Sequence, residues 1–268
     1  MRILKSPMLY LIFLCFSLTA CATVPITGRT QLSFIPSAQV QAMSFSQYDA
    51  FLKENKLSRD AKGTEMVKRA GYKIQRAVER YFAANNMSDQ LDGFQWEFNL
   101  VADDQVNAWA MPGGKVVVYE GILPVTKDET GLAVVMGHEI AHVVAKHGEE
   151  RMSQSLMAQM GGMALDLALQ NSPAETRGMW LQAYGLGSQV GVILPFSRVH
   201  EAEADRLGLV FMALAGYDPA RAVTFWQEMA ATKKGKQTFE FLSTHPSDAT
   251  RISKLKQALP EARRYYGK

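Results

Sequence analysis

Cysteine is scarce in this chain, with two among 268 residues. Cys15 lies in an N-terminal segment that we expect to be removed, and Cys21 stands where we expect a lipid, so no structural disulfide is expected. An excess of one charge is also lacking. The formal net charge of +3 falls to +1 without the two basic residues of the removed segment, Arg2 and Lys5. Binding of nucleic acid is therefore not indicated.

A membrane-spanning run is lacking as well. The apolar stretch at residues 8–18 is shorter than the roughly 20 residues that a spanning helix needs. It follows a basic region, the order found in secretory signals, so we expect residues 1–20 to be a signal peptide of the lipoprotein type. The rest of the chain has enough apolar content for a single core, and one compact domain is expected over residues 44–268.

The residues around Cys21 indicate attachment to a membrane. Residues 18–21 read Leu-Thr-Ala-Cys, which resembles the lipobox of bacterial lipoproteins, where the cysteine becomes the first residue and carries lipid. The alternative is an ordinary cleavage site that leaves an unmodified thiol. Ala22 follows the cysteine, as in lipoproteins of the Gram-negative outer membrane. We therefore expect a lipid anchor in the outer membrane facing the periplasm, with residues 21–43 as a tether.

Hydrophobic periodicity indicates the fold class. Between residues 60 and 85 apolar positions recur every four residues, which predicts an amphipathic helix. Turn signals at Asp103-Asp104 and Gly113-Gly114 separate segments rich in Val, Trp and Phe. The pattern predicts an α+β fold that is mainly helical with a small antiparallel sheet, whose strands cover residues 94–101, 106–111 and 115–119.

Terminal signals predict the later helices. Thr126 or Asp128 can cap a helix that runs to about Met152. The Met-rich stretch at 153–169 is open to two interpretations: a mobile helix and loop near a cleft, or a buried helix in which Met fills gaps. It is too short to span a bilayer. Further helices are expected from Ser197 to about Ala215, from Asp218-Pro219, and from about Asp248.

His138, Glu139 and His142 form an H-E-x-x-H motif. Four residues advance about 400° around a helix, so the two imidazoles lie on one face and can bind one metal ion. Glu139 can accept a proton from a metal-activated water. A surface helix with two solvated histidines is the alternative, but the neighbouring residues are apolar, and unpaired imidazoles would be costly there.

A third ligand is expected on the helix that contains Glu201, Glu203 and Asp205. Asp205 lies about 40° around the helix from Glu201, whereas Glu203 lies nearly opposite. We predict that Glu201 binds the metal and that Asp205 accepts the second N–H of a ligating imidazole. His147 and His200 lie nearby, and polar packing is expected for each rather than ligation.

The combined motifs are similar to those of a known family. H-E-x-x-H, the 59-residue separation from His142 to Glu201, and Glu-x-x-Ala-Asp at 201–205 resemble the gluzincin metallopeptidases of the HtpX and CAAX prenyl endopeptidase type. The branch resembled is that of soluble bacterial lipoproteins such as LoiP, YcaL and the protease core of BepA. Asn107-Ala108 with Pro112-Gly113-Gly114, Ser197-Arg198, and Ser243-Thr244-His245-Pro246 with Arg251 are further matches. The chain ends near Tyr266 without BepA's repeats, which puts a repeat-mediated docking role in doubt.

The resemblance implies a zincin-like catalytic domain with one Zn²⁺ per chain, bound by His138, His142 and Glu201. Three protein ligands leave a fourth position for water, whose pKa zinc lowers to about 7. Glu139 would be the general base. The resemblance also places His245 near the metal, where His245 or Arg251 could stabilise the oxyanion together with the zinc. Alternatively, His245 could occupy the fourth position and keep the enzyme latent. A His-Pro turn that caps the last helix is the alternative.

The resemblance implies an endopeptidase that binds extended peptide along an edge strand near residues 107–111. Unfolded or misfolded envelope proteins are the expected substrates. A rival interpretation is a chaperone-like factor that assists assembly of outer-membrane proteins, with a latent or structural zinc site. A closed site with four protein ligands would favour that rival. Hydrolysis of a non-peptide amide is a third possibility without positive support in the sequence.

Overall fold

The computed structural model describes residues 21–189, 193–232, 240–245 and 249–267. The expected signal peptide at 1–20, Pro246 and the expected helix start at Asp248 lie outside these residues. Described residues form a mainly helical structure with two small sheets, which confirms the predicted fold class. In the described parts of the chain, no helix has both the length and the apolar character needed to cross a bilayer.

The described chain forms two compact units. The smaller one contains the residues up to Ser37 and the range Glu149–Pro195. Strand β1, Cys21–Thr23, pairs antiparallel with β2, Thr30–Leu32. Within residues 21–43, the expected tether, this hairpin forms and helix α1, Ser37–Glu54, begins.

Much of the Met-rich stretch is exposed apolar surface. In the smaller unit it is helical and followed by a second helix. The side chains of Met157, Met160 and Met163 are 54–63% exposed. The interpretation of this stretch as a buried helix is wrong for these methionines, while its mobility remains a prediction.

The larger unit, residues 38–148 and 196–268, contains most of the helices. Along the chain, its sheet lies between the helix Ala61–Ala84 and the helix of the histidine motif. The remaining helices of the described residues are α2 (Ala61–Ala84), α3 (Leu123–Thr126), α4 (Glu129–Val144), α5 (His147–Ala168), α6 (Ala174–Ser188), α7 (Leu194–Leu214), α8 (Ala220–Thr232), α9 (Glu240–Thr244) and α10 (Ala249–Arg263).

The sheet of the larger unit is mixed, so the prediction of a wholly antiparallel sheet is wrong in this detail. Strand β5, Lys115–Tyr119, is central; it pairs parallel with β3, Glu97–Val101, and antiparallel with β4, Ala108–Met111. Positive φ angles at Gly113 and Gly114 close the tight β4–β5 hairpin, as predicted. Because every residue of β5 is buried, it takes the centre, and β4 is left at an edge.

Helix α4 lies in the core, and each of its residues from Gly131 to Val144 is buried. Asp128 is its N-cap, and the carboxylate accepts a hydrogen bond from the Gly131 N–H at 2.7 Å. The helix ends at Val144, so the expected extension to about Met152 is wrong. Lys146 has a left-handed φ of 56°, which redirects the chain before α5 begins at His147.

Two other predicted helices are shifted at their starts. Helix α7 begins at Leu194, three residues before the expected Ser197 (197 minus 194), and ends at Leu214 as expected within one residue. Before α8, the Asp218 carboxylate accepts a hydrogen bond from the Ala220 N–H at 2.9 Å, as expected for a capping residue.

Candidate metal centre

Helix α4 presents both histidines of the motif on one face. The Nε2 atoms of His138 and His142 are 3.1 Å apart, one helical turn from each other in sequence. Both residues are buried. The alternative of two solvated histidines on a surface helix is therefore wrong.

Helix α7 brings Glu201 to these imidazoles. Its Oε2 lies 3.3 Å from His138 Nε2, and its Oε1 lies 3.2 Å from His142 Nε2. Glu203 instead contacts His147, at 3.0 Å from Nε2. The two glutamates thus point in different directions, as the helical phase predicts: Glu201 contacts the histidine pair and Glu203 contacts His147.

Two glycines allow α4 and α7 to approach closely. A Cβ on Gly137 would lie 3.1 Å from the Gly208 carbonyl oxygen, and a Cβ on Gly208 would lie 3.0 Å from the His138 nitrogen. Backbone atoms cannot move aside as a flexible side chain can. The absence of side chains at these two positions therefore keeps the ligand helices in contact beside His138.

His245 completes the group from the segment after α9. Its Nδ1 lies 2.8 Å from Glu201 Oε2 and 3.0 Å from His138 Nε2. The backbone N–H of His245 donates a hydrogen bond to the Phe241 carbonyl oxygen. The centroids of the Phe241 ring and the His245 imidazole are 4.8 Å apart. The structure thus places His245 among the predicted ligands, the position near the metal that the family resemblance implied.

The four donors fit a zinc ion. One nitrogen or oxygen atom from each of His138, His142, Glu201 and His245 lies within 4.8 Å of the other three. Zinc prefers imidazole and carboxylate donors at about 2.0–2.1 Å, and the edge of such a tetrahedron is about 3.3 Å. The contacts of 2.8–3.3 Å between donor atoms are close to this edge. The chemistry and spacing of the donor set therefore suit one Zn²⁺.

Glu139 has an uncommitted oxygen at the site. The residue is buried, and within the described structure no group forms a hydrogen bond with its Oε1. This Oε1 lies 3.4 Å from His245 Nε2. Burial raises the pKa of the Glu139 carboxyl above its usual 4.5. A carboxylate with a free acceptor and a raised pKa is suited to receive a proton.

Asp205 and Arg251 support His138 from behind. Asp205 Oδ1 lies 3.0 Å from His138 Nδ1, the geometry expected of the carboxylate behind a ligating imidazole. The Arg251 guanidinium donates two hydrogen bonds to Asp205, at 2.6 and 2.8 Å, and lies 3.4 Å over the Trp226 ring. These contacts hold Arg251 in a supporting position; the role expected for it at the oxyanion remains a prediction.

The electrostatic environment favours a cation at this position. Burial lowers the pKa of His138, but the Glu201 and Asp205 carboxylates outweigh it and raise that pKa to about 9. Burial raises the pKa of Glu201, and the surrounding histidines outweigh it and hold that pKa far below its usual range. The pKa of His142 is lowered, first by burial. Without a metal, a proton on His138 compensates Glu201, and a divalent cation can replace it.

All five histidines of the chain belong to one connected cluster. His147 Nδ1 lies 2.9 Å from His142 Nδ1, and the His147 ring stacks on His200 with 4.3 Å between centroids. His147 faces the nitrogen of His142 that points away from Glu201. Sequence reasoning assigned His147 to polar packing and gave Glu203 no role. The five-residue spacing from His142 to His147 was the available signal.

Two features of the larger unit bear on the expected binding of a substrate. Strand β4, the expected site of peptide binding, is an edge strand of its sheet. A cleft of about 260 Å³ opens beside Glu201. It is lined by Arg198, Glu201, Ala202, Asp205, Thr250, Arg251 and Lys254.

Comparison with known proteins matches the chain to the model of peptidase family M48 over residues 68–259. It is 41% identical to the mitochondrial metalloendopeptidase OMA1 of Schizosaccharomyces pombe, over 70% of this chain and 53% of that protein. It is 32% identical to the mitochondrial metalloendopeptidase OMA1 of Bos taurus, over 94% and 48%. It is 34% identical to the beta-barrel assembly-enhancing protease of Yersinia pestis, over 59% and 33%. The chain thus spans about half the length of these mitochondrial relatives.

Proposed function

Because the chain belongs to peptidase family M48, we propose that it is a zinc-dependent endopeptidase that degrades unfolded or misfolded proteins of the bacterial envelope. The observation that carries this proposal is the convergence of His138, His142 and Glu201, next to a buried Glu139 with an uncommitted oxygen. Relatives named as metalloendopeptidases agree with a reaction at peptide bonds.

His138, His142 and Glu201 would hold the zinc. Zinc, when bound, supplies a Lewis acid that activates water and polarises the peptide carbonyl. Glu139 receives a proton at its uncommitted Oε1 and later delivers it to the leaving amine. Asp205 fixes the orientation of His138 through the contact at Nδ1. The buried surroundings of α4 strengthen these interactions by excluding bulk water.

His245 would act as an internal inhibitor in the resting enzyme. Its Nδ1 contacts both Glu201 and His138, which supports occupation of the fourth metal position. A tetrahedral zinc ion with four protein ligands would have no free position for water, so a latent state is expected until His245 moves away. Once displaced, the same imidazole would be close enough to donate to the oxyanion of the substrate.

Strand β4 would bind the substrate by backbone pairing. Edge pairing selects an extended chain and is weakly selective for side chains, which suits unfolded proteins. A role beside the machinery that assembles outer-membrane proteins is a further proposal, motivated by the name of the Yersinia relative.

A lipid on Cys21 would hold the protein at the outer membrane, facing the periplasm. The Leu-Thr-Ala-Cys sequence at residues 18–21 and Ala22 support this location. Mass spectrometry of the membrane-extracted protein should find Cys21 as an acylated first residue. A mature protein in the soluble fraction with a free thiol there would contradict the anchor.

The four-donor set also favours a second candidate, an assembly factor in which zinc mainly stabilises the fold. Casein cleavage by the zinc-loaded protein, with and without chelator, separates the two functions. The Glu139→Gln variant should retain one zinc per chain and lose cleavage. Cleavage by this variant at the wild-type rate, or an absence of zinc from the wild type, would overturn the enzymatic proposal.

The His245→Ala variant tests latency. It should cleave casein faster than the wild type if His245 blocks the fourth position, because that position is then open to water. A lower rate with unchanged zinc content would instead indicate that His245 assists the reaction. Unchanged rate and zinc content would contradict both roles.

A further inference from the structure

His142, a predicted metal ligand, is connected to a carboxylate through a second imidazole. The Nδ1 atom of His142 faces His147 Nδ1 at 2.9 Å, and the other side of the His147 ring, Nε2, faces Glu203 Oε2 at 3.0 Å. We propose that Glu203 and His147 form a positioning pair, which sets the tautomer and the ring orientation of His142 toward the metal. The inference rests on the metal site proposed above.

The burial of the pair supports a specific role for these two side chains. The side chains of His147 and Glu203 are 0% and 5% exposed, so both are removed from bulk water. Placing a carboxylate and an imidazole in the interior is costly unless each is satisfied by a specific contact. Stacking on His200 further restricts the His147 ring. The ring is therefore held in one plane, with one nitrogen toward each neighbour.

When His142 binds a metal, these two contacts fit one arrangement of protons. A carboxylate only accepts, so His147 Nε2 carries the proton and donates it to Glu203. In a neutral imidazole the other nitrogen is then an acceptor, and His147 Nδ1 accepts from the Nδ1–H of His142. His142 Nε2 is left with a lone pair on the side of Glu201 and His138. Glu203 thereby determines which nitrogen of His142 can bind the ion.

The arrangement gives each ligating imidazole of the motif its own carboxylate. His138 contacts Asp205 directly, whereas His142 reaches Glu203 through His147. Both carboxylates lie on α7, which also supplies Glu201. Residues 201 and 203 point in nearly opposite directions on this helix. Glu201 therefore contacts the two histidines of the motif, whereas Glu203 contacts His147. One helix thus contributes a ligand and the support of both histidines.

Zinc affinity of the full chain, measured by competition with a chromophoric chelator, tests the pair. Glu203→Met removes the acceptor at similar volume and should lower zinc affinity by about 10–100-fold. Glu203→Gln keeps a carbonyl acceptor and should stay near the wild type. His147→Leu should lose affinity similarly, while His147→Asn, whose amide oxygen can accept near the Nδ1 position, should recover most of it. The His147 variants repeat the test if Glu203→Met does not fold.

A matched control separates positioning from general stability. Glu150 is another buried carboxylate, paired with Arg29 at 2.7 Å in the smaller unit. Glu150→Met should lower the melting temperature without changing zinc affinity. Substituting Co²⁺ adds a spectroscopic readout, and Glu203→Met should alter the visible cobalt bands whereas Glu150→Met should not.

The outcomes distinguish this inference from the proposed function. If wild-type protein binds zinc and Glu203→Met and His147→Leu bind it equally well with unaltered cobalt bands, the positioning pair is overturned and the endopeptidase remains. If the wild type binds no zinc, the proposed function itself is overturned, and the inference falls with it.

Discussion

The carboxylate of Asp205 is shared by a buried guanidinium and a buried imidazole. It accepts hydrogen bonds from Arg251 and contacts His138 Nδ1 at 3.0 Å. Burial raises the pKa of Asp205, but Arg251 and His138 outweigh it and lower that pKa below 3.8. The residue therefore remains a carboxylate over the physiological range.

Asp205→Ala should weaken both the fold and the metal site. The substitution removes the carboxylate with which the buried Arg251 guanidinium pairs at 2.6 Å, a loss of about 3–5 kcal/mol in the free energy of unfolding. Zinc affinity should also fall by roughly 10–100-fold, because His138 loses its support. Urea denaturation and zinc competition measure the two effects. Glu261→Gln, in the half-exposed pair with Arg206, is the control, with an expected loss of about 0–1 kcal/mol.

Glu129, at the start of α4, makes a pH-dependent contribution to the free energy of unfolding. Burial raises its pKa, but hydrogen bonds from Tyr217, Lys73 and Arg69 outweigh burial and lower the pKa from 4.5 to about 2. The contribution is therefore fully present above pH 4.5 and is lost as the pH falls toward 2. Because Lys73 and Arg69 are over 40% exposed, screening reduces it to about 1–2 kcal/mol.

Glu129→Gln should remove this dependence. At pH 7 the variant should be less stable than the wild type, and the difference should shrink between pH 4.5 and 2. Urea denaturation over this pH range measures it. Glu65→Gln, which alters only an exposed ion pair with Arg69, should change stability by a few tenths of a kcal/mol. A constant difference for Glu129→Gln at all pH values would contradict the assignment.

Single residues were predictable where spacing alone fixes geometry. The four-residue interval between His138 and His142 and the phase of Glu201 follow from helical rotation. His245 came from family resemblance, because its approach depends on the packing of a distant segment. Polar packing was the expectation for His147, because nothing in the sequence marks the turn that brings it to His142. That turn occurs at Lys146, which has a left-handed φ although it is not a glycine.

Between elements, the glycine contact of α4 and α7 sets the separation of the metal ligands. Gly208→Ala should therefore be destabilising by about 1–3 kcal/mol, despite the better helix propensity of alanine, because its Cβ meets backbone atoms at 3.0–3.2 Å. Zinc affinity should fall too, since His138 follows Gly137. Thermal unfolding and zinc competition measure both effects.

Gly178→Ala is the matched control for that substitution. Gly178 lies inside α6, and a Cβ there would have no heavy atom within 4 Å among its neighbours in the described chain. The same change should therefore stabilise helix α6 by up to about 1 kcal/mol. A stabilising effect at Gly208 as well would show that the two ligand helices are free to separate.

Helices were predicted better than the sheet, for a physical reason. The apolar repeat between residues 60 and 85 fixes α2 locally, and Asp128 caps α4 through its own neighbours. The parallel pairing of β3 with β5 depends on which strand takes the buried centre. Local patterns detect strands and tight hairpins, whereas strand order is a property of the whole sheet.

At the scale of the whole molecule, one ion would join three separate parts of the chain. The donors come from α4, from α7 and from the segment after α9, up to 107 residues apart. Removing zinc should lower the melting temperature, because the ion binds the folded chain and stabilises it by about 4 kcal/mol at a thousandfold excess over its Kd. Scanning calorimetry with and without chelator measures the shift.

Variants of the site identify the source of that shift. Glu139→Gln retains the ligands and should show the same chelator-dependent change as the wild type. His142→Ala lacks a ligand and should melt at nearly the same temperature with or without chelator. An equal shift in His142→Ala would mean that the stabilising ion binds elsewhere.

The uncovered methionines of the smaller unit have a chemical consequence. Oxidants convert an accessible thioether to a sulfoxide, which is polar and can be reduced back by repair enzymes. Met157, Met160, Met163 and Met179, each more than half exposed, would react first, whereas Met136 and Met212 in the core are shielded from the same reagent. Peroxide stress would thus make this exposed apolar surface polar, while the core that contains the histidines stays unmodified.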